Sequence, residues 1–354
     1  MSDNDIKITI NGRKVLCRRD ETILDAAKKA GVRIPTLCHD ERLEPYGGCR
    51  LCIVKIKDIP RPLTACTTRV KNGMEVVTDT DEITRMRKSV LSLLLSNHPN
   101  DCMTCEATGN CALQSLSYEY GVTGKRYAGE TWDLPVRDDN PFIIFDPNKC
   151  ILCGRCVRIC NEVVMAGTIE LTGRGFNSLP DTAYGKPRSL DNCEFCGQCV
   201  STCPTGALID KKGRGKGRSY EMTKVKTTCP YCGTGCSFYL NVRDGQVAKV
   251  TSDFDGPVNQ GNLCIKGRYG YSFIHSSERL TSPIIKKDGK YVEATWDEAY
   301  DVIAERFGEI MKEHGSDAVG GFSSARCSNE ENFLLAKFVR TVFKSNNVDC
   351  CARV

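Results

Sequence analysis

Residues 150–160 read CILCGRCVRIC and residues 193–204 read CEFCGQCVSTCP. Each run spaces four thiols as C-x2-C-x2-C-x3-C. Zinc sites group their ligands in twos. A small, soft iron–sulfur core needs several thiolates converging with few side chains between them. The second run ends Cys203-Pro204, while Asn161 follows the first. In paired runs of this kind the fourth cysteine of each serves the other cluster. That assigns Cys150, Cys153, Cys156 and Cys203 to one 4Fe–4S cluster, and Cys193, Cys196, Cys199 and Cys160 to a second. A pair of structural zinc sites is the alternative.

Three further groups flank this repeat. His98-x3-Cys102-x2-Cys105-x5-Cys111 offers one imidazole and three thiolates, read as a 4Fe–4S site with a zinc site of the same four ligands as the alternative. Cys38-x10-Cys49-x2-Cys52-x13-Cys66 is looser and is assigned a 2Fe–2S cluster, with Gly47 and Gly48 letting backbone amides approach its sulfurs. Cys229-x2-Cys232-x3-Cys236 with Cys264 forms the fifth group. Cys17, Cys327, Cys350 and Cys351 are left over and are expected to be buried structural thiols.

The whole chain has 354 residues, 23 of them cysteine, and a formal charge of +5. Nineteen ligating thiolates and five oxidised cores of about +2 each would turn that to about −4. No apolar run approaches the roughly 18 residues of a membrane helix, and the polar start MSDNDIKITI is not a secretory signal. The expectation is a cytoplasmic protein whose thiols stay reduced for metal. Nothing suggests nucleic acid: GRGKGR lacks P-loop spacing.

The cysteine groups mark the domains. Over 1–79, Ile6, Ile8 and Ile10 alternate as a strand, Asn11-Gly12 signals a hairpin, and Thr22 with Asp25 caps a helix ended by Gly31, which predicts a β-grasp ferredoxin domain. Residues 80–120 predict a helical domain for the histidine and its three cysteines, with Ile83, Met86, Val90, Leu91 and Leu94 on one face and Pro99 as the stop. Residues 121–145 read as a linker, 146–210 as the two-cluster ferredoxin domain, and 211–223 as a basic linker whose KKGRGKGR run is solvated. Residues 224–282 hold the fifth group. Residues 283–354 read as the start of an α/β domain. Asp288-Gly289 sits in a hairpin, and Thr295 with Glu298 caps a helix burying Ala299, Val302, Ile303, Phe307, Ile310 and Met311. Asp317–Phe322 forms a buried strand, and Ser328 with Glu331 caps a second helix through Phe343. The fold class is an α+β multidomain iron–sulfur protein.

In this order the first four sites resemble the amino-terminal half of iron-only hydrogenases and of the large peripheral subunit of NADH dehydrogenase complexes. The hydrogenase likeness fails after residue 220. There CPYCGTGC, GNLCIKGR, Trp296-Asp297-Glu298-Ala299 and SSARCSNEEN resemble the 4Fe–4S subdomain and pterin domain of molybdopterin oxidoreductases, and NNVDCCARV resembles formate dehydrogenases. The resemblance implies a catalytic subunit oxidising formate, or reducing carbon dioxide, at a bis-molybdopterin guanine dinucleotide centre of molybdenum or tungsten. It implies a role for Lys266, two residues after Cys264, between cluster and pterin. Arg326, in the loop before a capped helix, is expected to help hold the pterin dinucleotide. The resemblance also implies partners: flavin- or NAD(P)-binding and iron–sulfur subunits of NADH-dehydrogenase type, a hydrogenase, or a ferredoxin. In that family a selenocysteine or cysteine metal ligand follows the segment matched by Cys350–Val354, so the chain is expected to stop one residue short of it, as at a UGA codon. Formate turnover would then need the longer protein, and neither Cys350 nor Cys351 takes the ligand's place. A standalone multi-cluster electron carrier without catalysis is the alternative function, and a colourless zinc scaffold a third.

Overall fold

In the computed structural model, which describes residues 5–187 and 192–352, Ile6, Ile8 and Ile10 all turn inward from the strand Asp5–Ile10. Asn11 and Gly12 both take positive φ, 49° and 79°, as the tight turn to Arg13–Arg18 requires. These two strands join Ile53–Ile56, Leu63–Thr64 and Glu75–Val77 in a five-stranded mixed sheet. Asp5–Ile10 lies between its hairpin partner and a parallel Glu75–Val77. The helix Ile23–Lys29 starts at a complete capping box. The Asp25 amide donates to Thr22 Oγ1, and the Thr22 amide donates to Asp25. Its Ile23, Leu24, Ala26 and Ala27 are buried on the sheet. Ile23 and Leu24 alone contribute about 2 kcal/mol each by leaving water.

Thr80 caps the helix Asp81–Asn97, which ends where His98 turns extended ahead of Pro99. Ile83 and Leu91 are fully buried, but Met86 is exposed. The buried residue beside it is Arg87, 3% exposed. Its guanidinium donates to the carbonyls of Leu51, Ile53 and Thr78 and to the Tyr120 hydroxyl. It fastens this helix to the sheet and to the helix Ala112–Glu119.

Residues 121–145 hold the strand Ile143–Phe145, which pairs with Leu208–Asp210. The two cysteine runs share one backbone design. Each places the residue before its second cysteine and the glycine after it in the left-handed region: Leu152 and Gly154, then Phe195 and Gly197. A short helix follows each, Arg155–Arg158 and Gln198–Thr202; the first continues as a π-turn, Ile159–Val163, that carries Cys160. A small hairpin, Glu170–Thr172 with Leu179–Asp181, lies between the runs and has no strong signal in the sequence. The basic segment expected to be solvated is instead partly docked. Arg218 donates to the carbonyls of Cys105 and Met103, and the Gly215 amide to Glu106, because that irregular loop has acceptors no ladder satisfies.

These elements belong to one compact unit, Met1–Thr223; Lys224–Val354 forms the other. There the strands Thr223–Thr228, Ser237–Arg243 and Gln246–Ser252 make a sheet in chain order. The hairpin Ile284–Lys287 with Lys290–Glu293 turns at Asp288-Gly289, and both expected capping boxes start the helices Trp296–His314 and Asn329–Phe338. Three expectations fail. Val302, Ile303 and Phe307 are exposed. The strand is only Gly321–Ser323, with Phe322 exposed. Cys350 and Cys351 are exposed and Cys327 is half-buried, although Cys17 is buried. The physical reason is one: Gly321–Ser323 pairs in parallel with Val348–Cys350 alone among the described residues, and two strands cover little apolar surface. The polar start at 1–4 and the end at 353–354 lie outside the described residues.

Arg87→Ala should lower stability by about 2–4 kcal/mol, since several buried carbonyls lose a charged donor together. Arg87→Lys should recover only part, because one ammonium cannot span the fork. The midpoint of urea unfolding reads both.

Candidate functional site: five cysteine clusters

The loop 37–52 and the turn at 65–66 bring the first four cysteines together, all of them buried. Cys52 Sγ and Cys66 Sγ lie 3.3 Å apart; the Cys49 amide donates to Cys38 Sγ and the Leu37 amide to Cys49 Sγ, each at 3.4 Å. Hydrogen bonds from Cys49 and Cys66, helped by the amides of Cys49 and Gly48, pull the Cys38 thiol down. The same sharing pushes Cys49 and Cys66 up. Gly48 has no room for a side chain: a Cβ there would collide with the Tyr46 ring.

His98 is the C-cap of the helix Asp81–Asn97 and is buried, which lowers its pKa. Its Nδ1 accepts from the Asn100 amide at 3.1 Å. A neutral ring bound to metal through Nε2 carries its proton on Nδ1, so ligation would require this amide to turn away. His98 and Cys105 share Asp101 and Lys149 as charged neighbours. Burial opposes the Lys149 charge, but Asp101 and Asp146, 3.0 and 3.1 Å away, outweigh it. Cys111 caps the helix Ala112–Glu119, and burial pushes its thiol up to about 11. The amide of its neighbour Ala112 donates to Pro204 O, which sets Cys111 next to Cys203. Gly206 is a residue that spacing alone did not single out: a Cβ there would stand 2.6 Å from Cys105 Sγ.

The repeat sorts its eight thiols into two cavities. One is lined by Cys150, Cys153, Cys156 and Cys203; the other by Cys160, Cys193, Cys196 and Cys199. Burial pushes Cys153 up to about 12 and Cys156 well above the ordinary thiol range. Their thiols are therefore neutral while alone. Such clustered, buried thiols with no disulfide among them suit a soft metal core, which alone would draw off their protons.

Side chains from the repeat grip the first cysteine loop. Arg158 donates to Cys38 O at 2.6 Å and Glu44 O at 2.7 Å, over the face of Tyr46. Asp40 accepts from Arg42, from Arg155 at 3.0 Å and from Thr202 Oγ1 at 2.7 Å. Burial would raise its carboxyl, but these donors hold it well below the usual carboxylate range. Cys153 consequently packs in one apolar cluster with Leu37, Cys38, Cys49 and Leu51.

In the second unit Cys229, Cys232 and Cys236 lie on the loop between Thr223–Thr228 and Ser237–Arg243, closed by a Cys229 amide bond to Cys236 O at 2.8 Å. Cys264 caps the short helix Ile265–Tyr269 and is exposed, as are Cys232 and Lys266. Each of the Cys229 and Cys236 thiols feels Cys232 and Cys264. Thr234 lowers the Cys232 thiol, helped by Lys266 and Arg326, so both basic residues stand near one cysteine. The Gly233 amide donates to Ala325 O at 3.2 Å, joining the cysteine loop to the loop of Arg326; a Cβ at 233 would meet two carbonyl oxygens at about 3 Å.

Five family matches run along the chain. They are a 2Fe-2S iron-sulfur cluster binding domain over 3–81 and the NADH-ubiquinone oxidoreductase-G iron-sulfur binding region over 87–126. A 4Fe-4S dicluster domain covers 144–207, the molybdopterin oxidoreductase Fe4S4 domain 222–276, and molybdopterin oxidoreductase 279–354. The chain is 42% identical over 349 residues to the NADPH-Fe(3+) oxidoreductase subunit alpha of Geobacter sulfurreducens, covering 99% of this chain and 40% of that protein. It is 39% identical to a G-type subunit of the NADH-quinone oxidoreductase of Rhizobium meliloti, over 98% of this chain and 40% of the relative. It is 31% identical to "Putative formate dehydrogenase YrhE" of Bacillus subtilis, over 100% and 40%. The chain thus spans about 40% of the length of these relatives. A chain of the solved NAD+-reducing [NiFe]-hydrogenase in its H2-reduced state matches with a TM-score of 0.54 and 31% identity, over 58% of this chain and 87% of that one. The ordered cysteine groups and these matches together make the chain a multidomain iron–sulfur protein that carries 2Fe-2S, 4Fe-4S and molybdopterin oxidoreductase domains.

Proposed function

We propose that the chain is the electron relay of a formate dehydrogenase. Cys38, Cys49, Cys52 and Cys66 hold a 2Fe–2S cluster in a β-grasp domain. His98, Cys102, Cys105 and Cys111 hold a 4Fe–4S cluster, the crossed sets of the repeat hold two more, and Cys229, Cys232, Cys236 and Cys264 hold the last. The observation that carries this reading is the sorting of the repeat's thiols: each cavity takes three cysteines from one run and the fourth from the other. Bound clusters supply one-electron stops and the pterin metal, molybdenum or tungsten, supplies two-electron exchange with formate.

The protein's own groups set the conditions for that chemistry. Amides of Gly48 and Cys49 stabilise charge on Cys38, and Arg158 holds its backbone. Lys266 and Arg326 place positive charge at Cys232, on the side we assign to the pterin dinucleotide. Formate as substrate rests on the NNVDCCARV likeness and the Bacillus relative. The Geobacter relative favours a second reading, in which electrons enter from NADPH through a partner subunit. Partners of NADH-dehydrogenase or hydrogenase type accord with the Rhizobium relative and the hydrogenase chain. Among the described residues no helix is long and apolar enough to cross a membrane; we propose a cytoplasmic setting.

Purified without oxygen, the chain should hold about 18 irons, one 2Fe–2S and four 4Fe–4S clusters; zinc in their place would sink the reading. Cys160→Ser should strip the cluster of Cys193, Cys196 and Cys199 and spare more of its twin, whereas ligation within each run predicts the reverse in spin-resonance spectra.

Gly206→Ala should press on Cys105 Sγ and reduce the cluster at His98, costing up to four irons with the other clusters retained. Iron counts per chain decide it.

The complete protein, with its pterin cofactor and partners, should reduce a dye with formate, and Lys266→Ala should slow that step while leaving iron content unchanged. Dye reduction with NADPH and none with formate would favour the second reading.

A further inference from the structure

We propose that the Thr168 hydroxyl donates a hydrogen bond to a sulfur of the cluster held by Cys160, Cys193, Cys196 and Cys199, and so raises that cluster's reduction potential. The inference rests on the ligand sets assigned above. Thr168 is 2% exposed, and its Oγ1 has no hydrogen-bond partner among the described residues. It lines the same cavity as those four cysteines, among Ile143, Ile159, Val164 and Ile169. A hydroxyl buried among aliphatic side chains without an acceptor is costly, and native folds rarely tolerate it. The thiolates and sulfides of a bound cluster are the acceptors this cavity is built to hold.

The local backbone explains how the hydroxyl gets there. The Ala166 amide donates to Cys160 O at 3.1 Å, which folds the segment after the π-turn back over Cys160. Gly167 then takes φ +62°, so the chain can reverse into Thr168 and Ile169, the latter packed with Cys160 and Cys199. A second side chain already approaches the same site. Asn140, 2% exposed, directs its Nδ2 at Cys193 Sγ, 3.9 Å away, while its Oδ1 is occupied by the amides of Phe142 and Ile143.

The twin cavity makes the contrast. Its threonine, Thr205, lies 3.7 Å from Cys203 Sγ, but its one proton goes to Lys149 O at 2.9 Å. Thr205 therefore has no hydrogen left for a thiolate, whereas Thr168 has. Hydrogen bonds to cluster sulfurs favour the reduced, more negative state, so the lone hydroxyl raises one potential of the pair. Two sites of the same spacing are thereby made different.

The test is a spin-resonance redox titration of the iron-loaded chain. Thr168→Val keeps the shape and removes the donor. One 4Fe–4S potential should fall by about 59 mV, a tenfold shift in a one-electron equilibrium, with iron content unchanged. Thr168→Ser should keep the wild-type potential. Loss of iron in Thr168→Val that Thr168→Ser restores would also support a hydroxyl-dependent site. Full iron with every potential unmoved in Thr168→Val overturns the proposal, as does equal iron loss in both variants, which would make Thr168 a packing residue. Wild-type chain without four 4Fe–4S signals would instead overturn the ligand reading, and this inference with it.

Discussion

A buried thiol cannot ionise alone, and that constraint governs the first unit. Burial pushes Cys111, Cys153 and Cys156 upward, to about 11, about 12 and beyond. Only a bound cation or converging donors reverse this. On the ligand sets proposed above, folding and metal loading would be linked: iron would displace protons from thiols that the polypeptide gathers but leaves neutral. Cys38 and Cys52 run the other way, since neighbouring thiols and backbone amides already favour their anions.

The same loops must also be held against one another, and arginines do this by addressing carbonyls. Arg87 gathers Leu51, Ile53 and Thr78; Arg158 takes Cys38 and Glu44; Arg218 takes Cys105 and Met103. Cysteine loops lack a regular ladder, so their carbonyls need donors from elsewhere. A planar fork that serves two acceptors at once suits the task better than a lysine. Asp40 adds the converse, one carboxylate collecting Arg42, Arg155 and Thr202. The result brings the first cysteine loop, the repeat and Cys111 into one packed body.

What the sequence made legible was local. Asn11-Gly12 and the capping boxes at Thr22, Thr295 and Ser328 each depend on a few neighbouring residues, and each is found where expected. Arg87, Gly206, Arg218 and Thr168 were not legible, because their partners are backbone carbonyls, a distant sulfur or a cavity, none of which leaves a signature in residue type. The helix Trp296–His314 has the right period but exposes much of its apolar face, since periodicity reports a face without reporting what covers it. Cys350 and Cys351 are exposed because a cysteine's residue type does not report that its strand has a single partner among the described residues.

The proposed relay stands on the crossed gathering of the repeat's thiols around two iron cores. An anomalous difference map at the iron edge, from crystals grown without oxygen, tests it most directly. One iron core should touch Cys150, Cys153, Cys156 and Cys203, and a second should touch Cys160, Cys193, Cys196 and Cys199. Iron joining Cys160 to Cys150, Cys153 and Cys156, or no iron at either cavity, would contradict it.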